Sequence, residues 1–145
     1  MKSFNHPSKS PPPAATAAKL LPLLQQLKSA YLIWTQYYQI LPKVHRYTLG
    51  HRVDNLLVET IEATATASFL NPTEKLPFVR LAIRKLDTVK ILLLILWETD
   101  SLKLKQYVHL SEKLDEIGRR LGGWHGQIAK SLDGTRDKQN SPTIR

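Results

Sequence analysis

Cysteine is absent from the 145 residues, which excludes a disulfide framework, a thiolate metal site and a thiol nucleophile. Its absence fits a reducing compartment, so the expected localisation is cytoplasmic. Glycine is sparse, with six residues in all, and no glycine-rich phosphate loop follows a strand pattern. The longest apolar run, Ile91 to Trp97, is too short to span a bilayer and lies between Lys90 and Glu98. A secretory signal is not expected, because Lys19 and Pro22 interrupt the one candidate apolar core near the start. The chain therefore reads as having no membrane partner.

Catalytic patterns are missing too. A di-iron bundle needs glutamates each followed three residues later by histidine, and no glutamate here has that partner. Glu59 and Glu62 make a pair, but His109 precedes Glu112 in the reverse order. The histidines, at 6, 45, 51, 109 and 125, include no pair four apart that could share a metal. The expectation is a protein with no catalytic residues, no metal and no cofactor, and not an enzyme.

What the sequence does have is helical period. Leu20, Leu24, Leu27, Tyr31, Trp34, Tyr38 and Leu41 alternate four and three apart, a first helix from Leu20 to Leu41. Its aromatics could stack bases, but three of the four fall on or beside this seam, which favours core packing. Pro42 ends it. A second helix, running to Leu70, carries Leu49, Val53, Leu56, Thr60, Ala63, Ala67 and Leu70. Asn71-Pro72 breaks the chain, and Thr73 and Pro77 mark a third helix, reaching Glu98, with a seam of Val79, Ala82, Leu86, Val89, Leu93 and Leu96. Tyr107, Leu110, Leu114, Ile117, Leu121, Trp124 and Ile128 form the fourth. Gly118 and Gly122 inside it suggest close approach of another helix, with Trp124 filling the adjacent gap.

Four amphipathic helices joined by short turns predict an all-α, up-down-up-down antiparallel four-helix bundle over residues 19–132. Residues 1–18, with Pro11-Pro12-Pro13, read as a disordered leader, and 133–145 as a flexible tail. Ile91, Leu92, Leu94 and Ile95 point away from the third seam. They predict a second buried surface against another copy of the chain, the competing reading being a wide core with a few exposed leucines.

Charge is uneven. Residues 1–53 carry seven lysines and arginines and no acid, the first acid being Asp54, whereas the remainder carries 14 basic and 12 acidic residues. A polyanion or an acidic protein surface is the partner this implies. The densest segment is Lys43 to Arg52, which could equally be a solvated turn. The candidate contacts are Lys43, His45, Arg46, Arg52, Arg80, Arg84, Lys90, Arg119 and Arg120. None reads base edges by its spacing, so backbone contacts with steep salt dependence are expected.

The stretches LDTVKILLLILWET (Leu86 to Thr99) and SEKLDEIGRRLGGW (Ser111 to Trp124), with the turn Leu41 to Gly50, resemble the accessory variability determinant (Avd) family of diversity-generating retroelements. The resemblance covers about residues 30 to 130. It implies a homopentameric, positively charged barrel, bacterial or phage-encoded. Such a barrel binds the element's reverse transcriptase and template RNA and supports mutagenic copying without catalysis of its own. Leu94 stands where the family commonly has a second basic residue after Lys90, and Arg120 and His125 where apolar side chains are usual. The Lys43-Val44-His45-Arg46-Tyr47 turn is also similar to four-helix-bundle proteins encoded within 23S ribosomal RNA genes, though Arg52 to Leu57 departs from their pattern. That similarity implies the alternative function, a self-assembling scaffold with no nucleic-acid role.

Overall fold

A computed structural model describes residues 22–140, with side chains described to Gly134. The expected leader and Leu20 of the first seam lie outside the described residues. Four long helices, α1 (Pro22–Gln39), α2 (His51–Ser68), α3 (Pro72–Glu98) and α4 (Leu104–Asn140), make up the fold, with no strand among the described residues. Each helix packs on the next, and α1 closes the set against α4.

Most seam positions are buried, while Tyr31, Tyr38, Leu49, Leu70, Tyr107 and Trp124 are half-buried. All six positions on α3, Val79, Ala82, Leu86, Val89, Leu93 and Leu96, are at most 1% exposed. Leu24, Leu27, Trp34 and Leu41 meet them from the first helix and the connection after it, Val53, Leu56, Ala63 and Ala67 from α2, and Leu110, Leu114, Ile117, Leu121 and Ile128 from α4. Each fully buried leucine contributes roughly 1.5–3 kcal/mol of transfer free energy. The two buried threonines are satisfied within α2, Thr60 donating to the Leu56 carbonyl at 2.7 Å and Thr64 to that of Thr60 at 2.8 Å.

Helix ends follow local chemistry. Asn71 caps α3 by accepting from the Glu74 N–H at 3.1 Å, and Pro72 occupies the first turn, where a missing N–H is harmless. The helix thus starts before Thr73, and Pro77 lies inside it. At the other end Asp100 takes a left-handed φ of 63°. This lets Ser101 N–H reach the Leu96 carbonyl at 2.8 Å and Asp100 N–H reach that of Trp97 at 3.0 Å, a Schellman closure with aspartate in the usual glycine place.

The turn from Lys43 to Gly50 is itself helical: Lys43–His45 is one helical turn, and Arg46–Gly50 is a wider π-helical turn running straight into α2. The expected tail needs correction: helical structure does not stop at Asp133, for α4 continues to Asn140. Between Ala129 and Asn140 Gly134 is the sole strong helix-weakening residue, and one glycine costs only about 1 kcal/mol. The glycines of α4 also differ. A Cβ at Gly118 would stand 2.9 Å from Lys90 Nζ, but one at Gly122 would meet nothing within 4 Å, so the expected close approach exists only at Gly118.

Contacts between α3 and α4 pair from their shared turn outward. Trp97 stacks on Tyr107 at 5.5 Å, Lys90 reaches Asp115 at 3.3 Å, and Lys75 lies 5.6 Å over the Trp124 ring.

Candidate nucleic-acid interface

The nine cationic candidates fall into two groups at different levels of the bundle. Lys43, His45, Arg46 and Arg52 belong to the corner between α1 and α2. His45 ties that corner to the α3–α4 turn through a short hydrogen bond between its Nδ1 and the Ser101 hydroxyl. The second group has Lys90 on α3, with Arg80 and Arg84 between the Lys75 and Lys90 pairings. Arg119 and Arg120 lie on α4 between Asp115 and Trp124, and so at the same level.

In each group one cation is already engaged within the fold. Arg46 is half-buried, and its Nε and Nη2 both donate to the Leu41 carbonyl, at 3.1 and 2.8 Å, closing the end of the first helix. Lys90 is held between Asp115 at 3.3 Å and Asp87 at 4.0 Å. By contrast Lys43, Arg52, Arg80, Arg84, Arg119 and Arg120 are exposed, and none of them forms an ion pair among the described residues. Asp54, the first acid in the chain, is turned inward: it accepts from the Trp34 indole N–H at 3.2 Å. Burial, and then Asp54 beside it, raises the Tyr31 pKa above the ordinary tyrosine value.

The corner is built on stacked aromatics. Trp34, fully buried, stacks on Tyr38 at 5.4 Å and 13°. Gly50 makes room for this: a Cβ there would stand 2.7 Å from Leu41 Cδ1 and 3.1 Å from Tyr38 Cε1. Burial raises the Tyr38 pKa, Asp54 and Tyr47 add to the rise, and Arg46 opposes it. Tyr38, Gln39 and Arg46 line an open groove of about 330 Å³.

Ile91 and Leu94 are exposed, Ile95 is half-buried, and Leu92 packs against the core margin. On α3 the exposed residues Arg80, Arg84, Asp87, Ile91, Leu94 and Glu98 follow one stripe, cationic at one end and apolar toward the other. Sequence reasoning missed Leu104 and Val108, exposed one turn apart beside the Trp97–Tyr107 stack, and the exposed corner residues Ile40, Val44 and Tyr47. The signal for the α4 pair was their position off the Tyr107–Leu110–Leu114 seam.

Among the described residues no three of His, Asp and Glu come together as a metal site requires, and no helix is long and apolar enough to cross a membrane. Compared with known proteins, the chain matches no family model and no curated protein.

Proposed function

We propose that the chain is a non-catalytic accessory subunit of a diversity-generating retroelement, cytoplasmic and bacterial or phage-encoded, which binds the element's reverse transcriptase and template RNA. In this reading the bundle is up-down-up-down, as the end-to-end order of the Trp97–Tyr107, Lys90–Asp115 and Lys75–Trp124 pairs supports. Copies assemble, as a pentamer on the Avd resemblance, through the apolar part of the α3 stripe together with Leu104 and Val108.

One observation carries the binding role: six exposed lysines and arginines without an ion-pair partner among the described residues, four of them at one level of α3 and α4. Exposed cations held in no direct ion pair, Arg52 among them although its field reaches Glu59, supply the sequence-independent attraction to phosphate, and assembly multiplies that field around the axis.

The test is RNA binding across a salt series, alongside co-purification with a co-expressed retroelement reverse transcriptase. The triple variant Arg80→Glu/Arg84→Glu/Arg119→Glu is expected to weaken RNA binding strongly and flatten its salt dependence while leaving the helical content and assembly unchanged. If the wild-type protein assembles but neither binds RNA at low salt nor retains the polymerase, the scaffold reading replaces this one.

A further inference from the structure

We infer that the corner between α1 and α2 holds a single-stranded nucleotide, with Tyr47 as the stacking platform and Arg46 as the phosphate anchor. The inference rests on the nucleic-acid reading above and names the site and strand state that reading leaves open.

Three groove-lining residues and one exposed neighbour support it. The Arg46 guanidinium is fixed by its two bonds to the Leu41 carbonyl, and of its five N–H donors three remain unspent. A cation already held in place loses little freedom when a phosphate arrives, so its bonds count more fully toward affinity. Tyr38 is held rigid by its stack on Trp34, which Asp54 anchors in turn. Gln39, exposed at the rim, brings an amide that can both donate and accept.

Tyr47 completes the set. It is 69% exposed, so its ring is open to a ligand. It sits on the π-helical turn next to Arg46 in the chain, beside the groove that Tyr38, Gln39 and Arg46 line. Lys43 stands exposed one helical turn earlier. An aromatic face flanked by fixed and flexible cations is the arrangement that takes an unpaired base and its phosphate. A paired base keeps its faces stacked inside the duplex and cannot use it.

The experiment measures binding of a fluorescein-labelled oligouridine strand and of the matching RNA duplex to the full chain, wild type and Tyr47→Ala, at fixed low salt. Loss of one stacked base is expected to weaken the single strand by roughly 5- to 150-fold. Duplex affinity stays the same, and Tyr47→Trp restores the single strand. Because the Tyr47 side chain is mostly in water, its removal opens no cavity, and unchanged thermal unfolding of Tyr47→Ala checks this. If wild type binds both RNAs and Tyr47→Ala binds the single strand equally well, the corner site is wrong and the broader function stands. If wild type binds neither, both fall.

Discussion

The Lys90 ammonium lies 3.3 Å from the Asp115 carboxylate, bridging α3 and α4 directly over Gly118. Its charge is therefore already compensated, whereas that of Arg84, two turns earlier on the same helix, is not. Replacing Arg84 by alanine is expected to reduce the slope of log affinity against log salt by about 0.7 for single-stranded RNA, and Lys90→Ala to leave it nearly unchanged. Titrations at several salt concentrations check this. Equal slopes for the two variants would remove the distinction between spent and unspent cations.

The glycines of α4 should respond differently to alanine. Gly122→Ala gains helix propensity and meets no neighbour, so it should stabilise by about 0.5–1 kcal/mol, raising the unfolding midpoint by about 3 °C. At Gly118 the same gain is offset, because the methyl group displaces Lys90 Nζ from its place beside Asp115. Thermal unfolding of both variants by circular dichroism should show the larger rise for Gly122→Ala.

Leu93 and Leu94 are neighbours with opposite surroundings, 1% and 37% exposed. Leu93→Ala should cost about 2–5 kcal/mol through transfer and cavity terms. Leu94→Asp, made together with Ile91→Asp, should leave the fold of one copy near wild-type stability and lower the mass seen by light scattering. An unchanged mass would separate assembly from the apolar end of the α3 stripe.

Lys85 donates to the Glu59 carboxylate at 2.8 Å, joining α2 to α3, and this bond holds the Glu59 pKa below the ordinary glutamate value. A carboxyl group whose folded pKa is depressed adds stability above its unfolded pKa and loses it as pH falls through the folded one. The advantage of wild type over Lys85→Ala should therefore be flat at neutral pH and vanish in acid. It should stay under about 1 kcal/mol, because the Glu59 side chain is 37% exposed. Denaturant titrations at several pH values measure it, and a carbon NMR titration of Glu59 should show its pKa rising in the variant.

The core was legible because burial on a helix repeats with the helix: the α3 seam follows from spacing alone, and Trp34 belongs to the core for the same reason. The state of each cation was not legible. Whether Arg46 closes the first helix depends on where the chain turns after Pro42, and whether Lys90 is paired depends on Asp115, 25 positions away. Local period carries neither fact. The π-helical turn at the corner was not legible for a related reason, since it has no distinctive spacing and the usual helical signals stop at Pro42.

That wider turn between Arg46 and Gly50 is in effect a one-residue insertion the helix has absorbed. Removing Thr48 should let ordinary helical bonding close across the gap. The interior of the bundle would keep its register from Val53 onward, while everything upstream swings by about 100° around the axis. The aim of the corner is thus set by residue count rather than by residue type, and a change of length there would re-aim its exposed side chains without disturbing what holds the bundle together.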